Sequence, residues 1–209
     1  MTQSDSLADL LDPILAIAVA AGREILDVYQ SDFAVTTKDD ASPLTQADLR
    51  AHRAIIAGLA ALTPDIPCLS EEDADISFDV RSSWPRYWLI DPPDGTKEFI
   101  KRNGDFTVNI ALIDQHESVL GVVHVPVTGT SYIAARGAGA FVIRDGERRE
   151  IRTRATPVKP SLVVTKSHRD AALDDFLAHA PEHEQVSRGS SLKFCMVAEG
   201  LADFYPRTG

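Results

Sequence analysis

Two short apolar runs in this chain end in carboxylates. In WLIDPPDGTKEF, residues 88–99, Asp91 and Asp94 follow Tyr87, Trp88, Leu89 and Ile90; in IPCLSEED, residues 66–73, Glu71 closes a similar block. Runs of this kind read as buried strands, which puts the acids at strand ends. If the two strands are neighbours in one sheet, Glu71, Asp91 and Asp94 converge at one edge. Carboxylates gathered there repel unless a cation lies among them. A set of hard oxygen donors favours magnesium over softer metals. The alternative reading is two solvated loops, because turns often use Asp for side-chain to backbone hydrogen bonds. Pro92 and Pro93 are expected to stop the strand, since neither can donate a ladder hydrogen bond, and Gly95 to allow a tight turn.

The elements that must hold these acids follow from hydrophobic spacing. Leu7, Leu10, Leu11, Ile14, Ala18, Ala21, Ile25 and Val28 recur at intervals of three and four, predicting a helix over residues 6–29. A second helix is predicted from near Thr45 to before Pro64, with Ala51, Ile55, Ile56, Leu59 and Leu62 as its buried stripe, and residues 36–44 as a loop before it. Strand-like runs at 106–113, 119–127, 131–143 and 149–153 imply an antiparallel meander. Beyond Pro160 the pattern becomes strand (SLVVTKS), helix (170–179) and helix (191–199). This order argues for layered sheets and helices, α+β passing into α/β, with a boundary near residue 155 dividing 1–155 from 156–209.

With 209 residues, 44% of them hydrophobic and 25% charged, the chain can build a sizeable core and is not a disordered polymer. A net charge of −10 argues against a nucleic-acid polymer as partner, because phosphate backbones demand a basic surface. Small phosphorylated ligands stay open, since a metal or a few local cations can offset their charge. Cys68 and Cys195 make no paired framework, and LLDPILAIAVAAG is interrupted, lacks a basic start and is too short to span a bilayer. A cytoplasmic protein is the expectation; peripheral association with a membrane and the number of subunits are left open.

Three motifs, SEED at 70–73, the DPxDGT pattern within DPPDGT, and TQAD at 45–48, resemble the inositol monophosphatase superfamily of magnesium-dependent, lithium-sensitive phosphatases. Within it, GTKEFIKRNGDFTVNIALI and GSSLKFCMVAEG are most similar to 3'(2'),5'-bisphosphate nucleotidases. The resemblance implies the αβαβα layered fold of that superfamily and removal of the 3'-phosphate of adenosine 3',5'-bisphosphate, with its sulfated form as a further substrate, in support of sulfur assimilation. It implies Mg2+ as cofactor and Li+ as inhibitor. By the same likeness Glu71, Asp91 and the carbonyl of Pro93 hold one metal, Asp91 bridges to a second that Asp94 also holds, and Thr96, backed by Asp48, orients a water. Gly95, Thr96, His168, Ser190, Lys193 and Arg207 would contact substrate. Lys193 and Arg207 are chemically apt for phosphate; solvated surface charges are the alternative for both, and a helix-start role for His168.

The chain departs from the pattern in two places. Proline stands at 93, where the family carries Leu or Ile. The sequence given ends at Arg207, Thr208 and Gly209, before a Trp-Asp motif whose Asp completes the second metal in the family. An incomplete C-terminal layer and a second metal short of one ligand are therefore expected. Alternatives to the nucleotidase are a catalytically impaired nucleotide- or metal-binding fragment and an inositol or sugar phosphatase.

Overall fold

The computed structural model describes residues 6–31, 43–73, 75–166 and 170–208. Helix α1 (Leu7–Tyr29) starts at Ser6, whose hydroxyl accepts from the Asp9 backbone N–H while the Asp9 carboxylate accepts from the Ser6 backbone, so each satisfies a donor at the helix entry. Helix α2 (Pro43–Leu62) packs along it. The helix begins two residues earlier than spacing suggested; the rest of the expected loop, residues 36–42, lies outside the described residues.

Both helices cover one face of a seven-stranded sheet whose strands lie in chain order. The strands are β1 (Cys68–Ser70), β2 (Arg86–Asp94), β3 (Thr107–Asp114), β4 (Glu117–Val125), β5 (Thr130–Ala135), β6 (Gly139–Arg144) and β7 (Glu147–Glu150). Only β1 and β2 run parallel; the others form the expected meander. Ile14, Ala18, Ala21 and Ile25 of α1 and Ala51, Ile55 and Leu59 of α2 interlock with Trp88, Ile90, Val108, Ile110, Leu112 and Val122 in one core. The run at 131–143 is two strands rather than one, because a turn at 136–138 reverses the chain.

The prolines do not stop β2. The strand continues through Pro92 and Pro93 to Asp94, with a register shift: Asp91 pairs with Asn109, and Asp94 with Thr107. Three steps on β2 thus match two on β3. A bulge leaves backbone groups unpaired, which is where proline's missing N–H does least harm. The added residue also changes the phase of the strand. In a regular strand residues three apart face opposite sides, yet Asp91 and Asp94 oppose residues two apart on β3 and so share a face, the one turned away from α1 and α2.

Short helices α3 (Phe78–Arg81) and α4 (Thr96–Ile100) flank β2. The last part of the chain forms a parallel pair, β8 (Ser161–Thr165) and β9 (Glu184–Arg188), with α5 (Ala171–His179) and α6 (Leu192–Ala198). Leu162, Val164, Leu173 and Leu177 make a second, smaller core. Strand β9 escapes a reading of hydrophobic pattern because EQVSR has a single apolar residue and is largely exposed. This part is fastened to the large sheet by Glu199, whose nearly buried carboxylate accepts from Tyr132 Oη (2.8 Å) and Arg149 (2.6 Å). The Asp203 carboxylate, fully buried, accepts two bonds from Arg154 (2.9 and 2.8 Å).

One buried group makes the fold sensitive to acid. His124 in β4 is 4% exposed and its Nδ1 lies 2.8 Å from Ser131 Oγ on β5. Burial first, and Arg23 second, lower its pKa from 6.5 to about 4. A lowered His pKa means the neutral form is favoured by folding, so its stabilisation is complete above pH 6.5 and is lost as pH falls toward 4. Relative to a His124→Gln variant, the native chain is expected to lose about 3 kcal/mol across that window. Urea unfolding of both proteins at pH 7, 5.5 and 4 measures it; parallel losses would remove His124 as the cause.

Candidate active site

The parallel pairing of β1 and β2 aligns Ser70 with Ile90, and the Glu71 backbone N–H donates to the Ile90 carbonyl at 3.1 Å. The two acidic strand ends are therefore adjacent, as the sequence suggested. Helix α2 brings Asp48 to the same place, and one turn later His52 Nδ1 meets the buried Ser70 Oγ at 2.9 Å, tying α2 to the end of β1.

The electrostatics show how crowded this end is. Asp91 is pushed up to about 7 by burial, then by Asp94 and Glu71, against a hydrogen bond from Asn109. Asp48 is also raised to about 7, by burial, Glu72 and Glu71. Asp91 Oδ1 and Asp48 Oδ1 are buried with no hydrogen-bond partner. Buried carboxylate oxygens normally have partners, and two orphans beside further acids are the chemistry a hard cation satisfies. The donor set thus fits magnesium. Among the described residues no three His, Cys, Asp or Glu side chains are closed up to ligating distance. Glu71 is exposed, and Asp94 Oδ2 accepts instead from Ser190 Oγ (2.6 Å) and the Ser191 backbone N–H (2.7 Å).

Asp94 also opens onto a cavity of about 530 Å³ shared with Gly95, Thr96, Ser190, Lys193, Tyr205 and Arg207. Gly95 has φ 108°, a left-handed turn that admits glycine, and from it the chain enters α4 with Thr96 at the first position. Gly189 allows a close approach: a Cβ there would lie 2.5 Å from Glu98 Cγ. Lys193 is 8% exposed, its Nζ donating to the Ser190 carbonyl at 2.5 Å and lying 5.5 Å from the Tyr205 ring. Burial lowers its pKa, while Asp94 and Glu98 oppose the shift. Tyr205 in turn packs edge-on against Phe194, the rings 5.2 Å apart. Six of the expected residues therefore line one cavity: Asp94, Gly95, Thr96, Ser190, Lys193 and Arg207. Asp91 adjoins it through Asp94, Glu71 neighbours Asp91 and Asp48 neighbours Glu71; Pro93 is buried in the bulge, and His168 lies outside the described residues.

Residue types at single positions did not disclose the polar lining that joins these parts. Thr107, Asn109, Ser191, Asp105 and Lys166 all take part: Lys166 Nζ reaches Asp105 Oδ2 at 3.0 Å, and the Gly189 backbone N–H donates to the same oxygen at 3.2 Å. Thr107 and Asn109, two apart in an otherwise apolar run, were the available signal, since polar residues at that spacing share a strand face.

The profile of the inositol monophosphatase family matches residues 7–209. The chain is 52% identical over 203 residues to the 3'(2'),5'-bisphosphate nucleotidase CysQ of Escherichia coli, an alignment covering 96% of this chain and 81% of that protein. It is 37% identical to the CysQ of Haemophilus influenzae, over 96% and 76% of the two chains. Among solved structures, CysQ from Bacteroides thetaiotaomicron superposes with a TM-score of 0.84 at 36% identity, over 95% of this chain and 79% of that one. SuhB of Mycobacterium tuberculosis gives 0.76 at 25% identity, over 99% and 80%. The doubly acidic strand ends, the bulged DPPDGT segment and the cavity beside them are thus carried by a chain that belongs to the inositol monophosphatase family.

Proposed function

We propose that this chain is a magnesium-dependent, lithium-inhibited phosphatase that removes the 3'-phosphate of adenosine 3',5'-bisphosphate, and of its sulfated form, in the cytoplasm of a sulfur-assimilating cell. The observation that carries this reading is the charge lining one cavity: Asp94, which neighbours Asp91, shares its wall with Lys193 and Arg207. A ligand with two phosphates can set one against the acids and any metal they hold, and the other against the two cations. About 530 Å³ is a volume typical of small-molecule sites, and the aromatic edge formed by Phe194 and Tyr205 suits a flat base. The names of the relatives at 52% and 37% identity support the same substrate class.

In this reading Glu71, Asp91 and the Pro93 carbonyl would hold one magnesium ion, and Asp91 and Asp94 a second. Bound there, the ions would lower the pKa of water, neutralise phosphate charge and align attacking and leaving oxygens. Thr96, at the start of α4, orients the attacking water. Asp48, with an unpartnered Oδ1 and a pKa near 7, backs Thr96 and can take up the proton released there. Ser190, Lys193, Arg207 and His168 hold the second phosphate and the sugar, and Gly95 lets the backbone approach the reacting group.

The first test is substrate choice. With magnesium present, phosphate release from adenosine 3',5'-bisphosphate is expected to exceed that from inositol 1-phosphate by at least about tenfold in kcat/KM, about 1.4 kcal/mol of discrimination. Equal rates would remove the nucleotide assignment. Lys193→Ala is expected to raise KM about tenfold with little change in kcat, since a contact to a non-reacting phosphate is made in ground and transition states alike.

The second test is metal binding read through stability. A carboxyl whose folded pKa is raised from 3.8 to about 7 weakens the fold increasingly as pH rises through that range, and the penalty persists above it. Metal-free Asp91→Asn is therefore expected to melt higher than the native chain at pH 8, by roughly 3 °C for each kcal/mol relieved. Magnesium should raise the melting temperature of the native chain and leave the variant unchanged. A variant that melts lower when metal-free, or still responds to magnesium, would overturn this assignment of Asp91.

A further inference from the structure

The two acids of the bulge meet one hydrogen-bond network, and that network begins in the Ser190–Ser191 loop, which lines the cavity beside Asp94. Asp94 pairs across the sheet with Thr107, and Asp91 with Asn109. Thr107 is fully buried, and its Oγ1 lies 2.6 Å from Ser190 Oγ, 2.8 Å from Ser191 Oγ and 3.2 Å from Asn109 Oδ1. Ser191 Oγ donates to Asn109 Oδ1 at 2.9 Å, and Ser190 Oγ donates to Asp94 Oδ2 at 2.6 Å.

Three hydroxyls supply three protons. Ser190 gives its proton to Asp94 and Ser191 gives its own to Asn109, and the Thr107 proton has Ser190 Oγ, Ser191 Oγ and Asn109 Oδ1 as acceptors, each of which leads on to one of the two acids. With Asn109 Oδ1 accepting, its amide nitrogen is the group available to donate to Asp91, which matches the Asn109 hydrogen bond that opposes the rise of the Asp91 pKa. Every chain of donors therefore terminates on a carboxylate, an arrangement in which successive bonds polarise and strengthen one another. Ser190 has φ 51°, an uncommon conformation for a residue with a side chain, and its carbonyl accepts from Lys193. The loop is thus held through its side chains by Thr107 and Asp94 and through the Ser190 carbonyl by Lys193, which lines the same cavity.

We infer that Thr107 is a positioning residue that couples ligand binding at Lys193 to metal binding at Asp91 and Asp94. This rests on the reading of those two acids as metal ligands. A ligand that engages Lys193 restrains the Ser190–Ser191 loop. The restrained loop keeps both donors on Asp94 Oδ2, which leaves the other oxygen of that carboxylate to face a cation. By linkage the effect is reciprocal: magnesium tightens the ligand by the factor that the ligand tightens magnesium.

The test measures magnesium affinity by calorimetry, with and without saturating adenosine 5'-phosphate, for the native chain and for Thr107→Val, Thr107→Ser and Ser191→Ala. Direct attraction between cation and phosphate is common to all four proteins, so differences among them report the network. Thr107→Val is expected to reduce the coupling factor about fivefold or more, within the range of site-to-site couplings. Thr107→Ser, which keeps the hydroxyl, should retain the native factor, and Ser191→Ala should lose part of it. Ser191→Ala leaves the core strand intact and carries the test if Thr107→Val does not fold. A native coupling factor in Thr107→Val or, failing that variant, in Ser191→Ala overturns the proposal, as does an equal loss in Thr107→Ser, which would assign the effect to packing. If Asp91→Asn binds magnesium as the native chain does, the metal reading falls and the proposal falls with it; native binding lost in Asp91→Asn but unchanged coupling in Thr107→Val sinks the coupling alone.

Discussion

Repulsion among partly desolvated carboxylates at the ends of β1 and β2 is the constraint around which this molecule is arranged. Glu71, Asp91, Asp94 and Asp48 come from two strands and a helix, and burial raises two of them to about 7. A fold selected for stability alone would separate these groups or pair each with Arg or Lys. Here Lys193 donates to the Ser190 carbonyl, and Asp94 takes its hydrogen bonds from neutral donors. The large apolar core between α1, α2 and the sheet supplies the stability that lets such a cluster persist.

The bulge is the device that aims the cluster. By adding one residue to β2 it turns Asp94 to the same side as Asp91 and leaves Pro92 and Pro93 buried where no ladder donor is missed. The Ser190 hydroxyl and the Ser191 backbone N–H, neutral donors backed by Thr107 and Asn109, then satisfy one oxygen of Asp94 without neutralising its charge, which a lysine in their place would do.

Buried carboxylates tie the last part of the chain to the part before it. Burial alone would raise the Glu199 pKa, but hydrogen bonds from Arg144 and Tyr132 hold it below its ordinary value. Asp203 is drawn down to about 2, first by Arg154, and also accepts from the Ser161 backbone N–H at 2.7 Å. Lys166 reaching Asp105 adds a third tie near the cavity. Such charge-assisted bonds depend on geometry, so the loop carrying Gly189, Ser190 and Ser191 is set in register with the acids rather than merely near them.

The sequence by itself determined the two long helices, the meander and the identity of the acids, because each is a local signal: a period of 3.6, alternation, or carboxylates closing an apolar run. It also determined the family, since SEED, TQAD and DPPDGT occur in order over most of the chain. Only the tertiary structure decided that β1 and β2 pair in parallel, that β2 runs on through two prolines, and that residues 131–143 fold back as two strands. It alone brought the polar strand EQVSR beside β8 and Thr107 and Asn109 against a loop more than eighty residues away. These features rest on pairing and burial between distant segments, and no local pattern encodes which neutral hydroxyl will meet which carboxylate.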